Sequence, residues 1–262
     1  MPLLVRPDQN TGSPLTQLLG PGDATDGRVT AEVRNLNVGE AWSIESSAGS
    51  LLWIQLIGGS AKLEDSLITR DHIVMASGGA RLDLVCESPA QLFYAHVPNA
   101  RDYDENLVQS VVVLDWSREP VLNSEHDSRQ RIYLASPKLW GTRAVKGEMI
   151  IYPPGASGAA HHHEGAEHFQ YLISGGGTAI LEAQELDLQP GDLLYNFENE
   201  VHSFANNTDD SMVFVEFFVP GESSTVWIPG ANACGWQPTG VDIQGRVPAR
   251  EVGYHIHGQG DV

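Results

Sequence analysis

Residues 153–177, PPGASGAAHHHEGAEHFQYLISGGG, place His161, His162, His163 and His168 within eight positions, with Glu164 and Glu167 between them. Imidazole nitrogens and carboxylate oxygens at this density are metal-ligand chemistry if the backbone aims them at one point, and a solvated turn if it does not. On a strand, positions i and i+2 share a face about 6.6 Å apart, so His161 and His163 aim together while His162 aims away. Two imidazoles so spaced can close on one ion with bonds of about 2.0–2.1 Å. The chain returns through HFQYLIS, where His168, Gln170 and Leu172 share the inward face, and His202 in ENEVHSFAN follows from a later strand. The spacing predicts a cluster of His161, His163, His168 and His202 inside one barrel.

One further member of the shell is open between two neighbours, Glu167 and His168. Register turns His168 inward, whereas Glu167 needs a one-residue bulge of the kind strands make at barrel rims and active sites. The shell is therefore four imidazoles, or three imidazoles with the carboxylate of Glu167. Glu167 and Gln170 stand as catalytic candidates, and Tyr152, Tyr195 and Phe204 as pocket-lining ones. His255 and His257 in YHIH share the i, i+2 spacing but have no evident partners, which places them on the surface of the tail or as a cap on the barrel mouth. Trp227 and Trp236 read as lid residues or packing anchors, and Cys234 as an inert loop thiol.

The elements that must hold such a cluster are strands. Short runs rich in Val, Ile, Leu, Phe and Tyr alternate with turns drawn from 27 Gly and 15 Pro, and helix signals are scarce. The 262 residues fit either one large β domain or two of about 130 residues. With 34 acidic against 15 basic residues the net charge is −19, so the averaged surface repels phosphate backbones and anionic membranes, and neither nucleic acid nor membrane is an expected partner. No apolar run approaches the ~20 residues needed to cross a bilayer. The opening residues carry no basic leader with an apolar core, and Cys86 and Cys234 lie far apart, so a reducing cytoplasm is the expected setting.

Two segments read alike, SLLWIQLIGGSAKL at 50–63 and EHFQYLISGGGTAIL at 167–181, each a strand, a Gly-rich turn and a second strand. This duplication divides the chain into an irregular arm at 1–28, a first barrel at 29–120, a second barrel at 121–220 and an irregular wrapping tail at 221–262. With Gly58 laid on Gly175, the places of His161, His163 and His168 fall on Ile44, Ser46 and Leu51. With Asp71 laid on Asp192, His202 falls on Arg81. That set cannot hold a divalent cation, so the first barrel is expected to be metal-free, a structural or dimer-forming copy, or alternatively an anion site at Arg81.

The second half resembles a cupin. Its first motif, G-x5-H-x-H-x3/4-E-x6-G, runs from Gly155 through His161, His163 and the 167/168 pair to Gly175. Its second, G-x5-P-x-G-x2-H-x3-N, runs from Gly191 through Phe197 and Asn199, where the family usually has Pro and Gly, to His202 and Asn206. The resemblance implies an all-β fold of two tandem double-stranded β-helix (jelly-roll) barrels, with His161, His163 and His202 as metal ligands, and by analogy with two-barrel cupins a homodimer.

The resemblance further implies one divalent ion per chain, Fe(II) in the first place, with Mn(II), Ni(II), Cu(II) and Zn(II) equally suited to imidazole. A neutral four-imidazole shell leaves the ion's charge uncompensated and favours a small anionic, chelating substrate such as an enolate, catecholate or 2-oxo acid. The first expectation is a mononuclear non-haem dioxygenase, as in the quercetinase-like and diketone-cleaving cupins. The second is a hydrolase or lyase resembling (S)-ureidoglycine aminohydrolase, whose ligands run Glu-x-His-x3-His with a later Gln where this chain has His161 and His202 at the first and last places. The third is a non-catalytic ligand-binding cupin. Because imidazole must be neutral to ligate, bound metal is expected to leave as the pH falls below about 6, and metal retained by a His161→Ala, His163→Ala double variant, measured by elemental analysis, would remove the metal-site reading.

Overall fold

A computed structural model describes residues 2–7, 13–182, 184–259 and 262. The described strands pair antiparallel throughout, and the chain divides into two compact units: residues 7–116 with 139–144, and residues 1–6, 117–138 and 145–262.

In the first unit a six-stranded sheet runs in the order Ser110–Asp115, His72–Ser77, Leu51–Gly58, Ala90–Val97, Thr30–Leu36, Leu15–Leu19. A four-stranded sheet runs Ala41–Glu45, Arg81–Cys86, Ser60–Leu63, Ser66–Thr69. Strand alternation sends Leu52, Ile54 and Leu56 to one face, where they meet Val74, Ala76, Leu82 and Leu84 in a single apolar cluster.

In the second unit a nine-stranded sheet runs Leu3–Val5, Leu193–Asn196, Glu167–Ser174, Met212–Val219, Lys146–Tyr152, Gln130–Ala135, Leu122–Ser124, Gly235–Pro238, His255–Ile256. The five-stranded sheet of this unit runs Glu185–Leu188, Gly177–Leu181, His202–Ala205, His161–Glu164, Ser224–Trp227. Residues from both sheets meet in one core of Ile150, Tyr152, Leu172, Leu181, Phe204, Met212 and Phe214, the two-sheet packing of a jelly roll.

The terminal segments are more regular than their composition suggests. In the arm, Leu3–Val5 pairs with Leu193–Asn196 and Leu15–Leu19 with Thr30–Leu36, while residues 1 and 8–12 lie outside the described residues. The tail, expected to be irregular, adds Ser224–Trp227 to the histidine-bearing strand and Gly235–Pro238 to Leu122–Ser124. A sheet edge recruits a short strand through backbone hydrogen bonds, which need no side-chain periodicity and leave no sequence pattern.

The duplication holds with a shift of one residue. Gly175 has φ +73, and a Cβ there would lie 2.2 Å from the Ser211 carbonyl oxygen; Gly59 has φ +78, with the corresponding position 2.1 Å from the Pro89 carbonyl oxygen. Gly59, not Gly58, is therefore the counterpart of Gly175. The places of His161, His163 and His168 become Glu45, Ser47 and Leu52, in agreement with the pairing, since Glu45 faces Arg81 as His161 faces His202. Arg81 is exposed and held by the Asp83 carboxylate at 2.8 Å.

At the second motif, Asn199 takes φ +68, the left-handed conformation for which the family pattern has Gly, and its N–H donates to the His163 carbonyl at 3.0 Å. Asparagine is the non-glycine residue that tolerates this region best, so the departure from the pattern keeps the turn. No helix among the described residues is long and apolar enough to cross a membrane.

Replacing Gly175 or Gly59 by Ala forces a Cβ into a backbone carbonyl at a left-handed position, and each is expected to cost about 2 kcal/mol or more in denaturant unfolding. Asn199→Gly should be neutral within about 0.5 kcal/mol, while Asn199→Val should cost about 1–2 kcal/mol.

Candidate metal centre

The cluster begins with alternation on two strands from different sheets. On Glu167–Ser174, His168, Gln170 and Leu172 share one face, and Leu172 lies in the barrel core. On the other face, Glu167 accepts a hydrogen bond from the Tyr195 hydroxyl at 2.5 Å, and Phe169 packs on Phe217. On His161–Glu164, His161 stands opposite His202, His163 is buried, and the His162 ring turns toward the exposed Glu164 carboxylate at 3.8 Å.

The four inward rings touch. Centroids lie 4.6 Å apart for His161–His202 and His168–His202, 4.7 Å for His163–His168 and 4.9 Å for His161–His163. The ligand atoms of His163, His168 and His202 lie within 4.8 Å of one another, and the Nε2 atoms of His168 and His202 are 3.2 Å apart. Two nitrogens bonded at about 2.1 Å to one ion, at right angles or tetrahedrally, would be about 3.0–3.4 Å apart.

Backbone carbonyls fix two of the tautomers. His161 Nδ1 meets Ala159 O and His202 Nδ1 meets Glu200 O, both at 2.9 Å. A carbonyl only accepts, so both Nδ1 atoms carry the proton and both Nε2 atoms present lone pairs. His163 Nε2 and His168 Nδ1 are buried without a hydrogen-bond partner. Burial, with the neighbouring imidazoles, holds His161, His163 and His168 well below the usual histidine pKa, and burial lowers His202 to about 4. All four are neutral, the form that binds metal, so proton competition for the site falls at lower pH than the value of about 6 expected from free imidazole, and buried lone pairs turned toward one another are what a cation satisfies.

The wall beside the cluster is charged. Arg131 pairs with Glu148 at 2.6 Å, Lys146 with Glu148 at 2.9 Å, and Arg129 with Asp127 at 2.7 Å while donating to the Tyr152 hydroxyl at 3.1 Å. Glu148 faces Glu216 across the strands, and burial together with Glu148 pushes the Glu216 carboxyl up to about 7. Gln170 donates to Glu216 at 2.5 Å and accepts from Asn196 at 2.9 Å, which fixes its amide orientation. A cavity of about 20 Å³, room for one water molecule, lies among Arg129, Arg131, His161, His202, Trp227 and His257.

The structure thus brings His161, His163, His168 and His202 together, puts Gln170 on the face of its strand that carries His168, bonded to Glu216 and Asn196, and places Tyr152 and Phe204 on the cavity wall. Two expectations are corrected. Glu167 faces away from the cluster, since no bulge rotates it inward, and Tyr195 shares its face rather than lining the pocket. His255 and His257, expected on the tail surface or as a cap on the barrel mouth, are both buried, and His257 stands beside His161 and His163 at the cavity, because the tail strand docks on the sheet. The Trp227 ring lies tilted against His161 with centroids 5.0 Å apart, and Trp236 lies under the Arg131 guanidinium at 4.1 Å. Cys234 is buried against Arg129 and Ser124.

Sequence reasoning missed Arg129, Arg131, Glu148 and Glu216. The signal available for Arg131 and Glu148 was a charged residue inside the apolar runs RQRIYLA and KGEMIIY, where a mid-strand charge needs a buried partner.

A Cupin domain family model matches residues 148–218. (S)-ureidoglycine aminohydrolase of Escherichia coli (strain K12) is 32% identical over 103 residues, 38% of this chain and 39% of that protein, so the match spans well under half of the relative's length. An oxalate decarboxylase structure concerned with substrate binding and reaction specificity aligns with TM-score 0.62 at 14% identity, over 77% of this chain and 71% of that one. The Bacillus subtilis oxalate decarboxylase at pH 4.6 aligns with TM-score 0.60 at 14% identity, over 77% and 70%. At that identity the likeness is one of fold.

Measured metal content should separate the adjacent pair: His168→Ala empties the site, and Glu167→Gln leaves it filled.

Proposed function

We propose that this protein, a member of the cupin superfamily, is a metal-dependent enzyme that acts on a small carboxylate substrate inside its C-terminal barrel. The observation that carries this reading is the convergence of four neutral imidazoles, three of them buried and His161 partly so, beside a wall holding two buried guanidiniums. His161, His163, His168 and His202 would hold the ion. A bound divalent ion supplies a Lewis acid that orients a chelating substrate and offsets negative charge developing on it. The imidazole set suits Fe(II), Mn(II), Ni(II), Cu(II) and Zn(II) alike, so elemental analysis identifies the ion.

The chain's own residues define the rest. Arg129 and Arg131 are committed to Asp127 and Glu148, so they act on an anion through their field and through the N–H edges facing the cavity, not as an empty clamp. Tyr152, Phe204 and Trp227 exclude water, which strengthens those electrostatic contacts. Gln170, held at both ends by Glu216 and Asn196, offers a fixed amide beside His168. A cavity with room for one water must widen to admit any organic substrate, and it must widen least for a compact one.

Similarity to an enzyme named for hydrolysing ureidoglycine, itself a small carboxylate, supports non-oxidative cleavage with water as co-substrate and ammonia as product. The differing residues at the first and last ligand places limit this to the class of substrate. The oxidative reading, a dioxygenase, keeps the same residues and differs in consuming O₂.

The test uses untagged protein, its metal content, and a panel of small ureido and amino carboxylates beside catechols and β-diketones. The expected result is ammonia release without O₂ uptake, abolished in His163→Ala. Uptake of O₂ with the catechols or diketones would make the enzyme a dioxygenase, and protein that neither binds metal nor turns over any of these would overturn the enzymatic reading.

A further inference from the structure

His257 comes from the C-terminal tail and not from either motif, yet its ring lies 5.4 Å from that of His161 and 5.5 Å from that of His163. Its ligand-capable atom is within 4.8 Å of theirs, so by position alone His161, His163 and His257 form a second triad that shares His163 with the inner one. Position does not decide between ligand and donor. The tautomer does.

Two features hold the ring. Gly258 has φ +81, and a Cβ there would lie 2.6 Å from Thr225 Oγ1, so glycine lets the tail run against the strand Ser224–Trp227. The Arg131 guanidinium, itself fixed by Glu148 and stacked on Trp236, hydrogen-bonds His257 Nδ1. A guanidinium has donors and no acceptor, so Nδ1 must offer its lone pair, and the proton of the neutral ring must sit on Nε2. That Nε2 is buried without a partner, and His257 lines the same cavity as His161 and His202. With Nδ1 accepting, only Nε2 can carry a proton, which makes the ring neutral by geometry. His161 and His202 have the opposite tautomer, with their Nδ1–H groups spent on backbone carbonyls.

We propose that His257 is a substrate-contacting hydrogen-bond donor of the metal pocket and not a ligand of the ion: Arg131 sets its tautomer so that Nε2–H meets an oxygen of the bound carboxylate. The assignment rests on the metal-site reading above. It makes the tail part of the binding site and gives Arg131 a positioning role that acts through His257.

The experiment compares wild type, His257→Leu, His257→Gln, which keeps a donor, and His163→Ala, all checked for folding by circular dichroism. Co(II) is titrated and followed by its visible absorption, and oxalate, a small chelating dicarboxylate used as probe, is then titrated into the Co(II) form by calorimetry. The expected result is that His257→Leu binds Co(II) with the wild-type spectrum and with affinity within about threefold, while oxalate affinity falls about ten- to hundredfold and is partly restored in His257→Gln. A changed Co(II) spectrum or a large loss of Co(II) affinity in His257→Leu would make His257 a ligand. Unchanged oxalate affinity would remove its donor role. Failure of the wild type to bind Co(II), or undiminished binding in His163→Ala, would instead overturn the metal-site reading on which the assignment stands.

Discussion

Neutral imidazoles turned lone pair to lone pair in a buried space have no reason to gather unless something else holds them. Here the holding is done by groups behind the rings. Carbonyls of Ala159 and Glu200, each two residues before its histidine, take the Nδ1 protons of His161 and His202 and leave both Nε2 atoms facing inward. The Asn199 amide then pins the carbonyl of His163 through a left-handed turn. The site is set by backbone groups whose positions follow from strand pairing, so its geometry is as rigid as the sheet that carries it.

The cost of that interior is met by segregation within one barrel. Leu172, Phe204, Met212 and Phe214 make an apolar floor, and the polar residues occupy the inward positions beyond it on the same strands. Lys146, Glu148, Arg131, Glu216 and Gln170 form a connected row in which each charge meets an opposite charge or an amide. Removing one member would strand another in a low-dielectric interior, which is costlier than the net worth of any single pair. The first unit fills the equivalent positions differently, with Leu52 where the second has His168, and its strands close on an apolar cluster.

Within the second unit the tail joins the charged row to the imidazole cluster. Its strand Gly235–Pro238 extends the sheet beside Leu122–Ser124, and the strand His255–Ile256 that pairs with it delivers His257 to the cavity, against Arg131 on one side and the imidazole cluster on the other. A guanidinium at this point cannot accept a hydrogen bond, so one charge decides which nitrogen of a distant segment carries a proton. That is a polarity set by contact, not by sequence.

Local periodicity made much of this legible in advance. The i, i+2 rule separated His161 and His163 from His162, and register put His168 rather than Glu167 inward, because alternation is a property of the strand itself and needs no partner. The turn glycines marked the duplication, although the counterpart of Gly175 was Gly59 and became evident only where its Cβ position met the Pro89 carbonyl. What the tertiary structure alone decided was which inward faces meet. Glu167 and Tyr195 find each other on the outer face, Arg131 and Glu148 meet across adjacent strands, and His257 arrives from about ninety residues beyond the motif to stand by His163. These contacts depend on non-local pairing and on edge strands recruited by backbone hydrogen bonds, and neither leaves a periodic trace in the residues concerned.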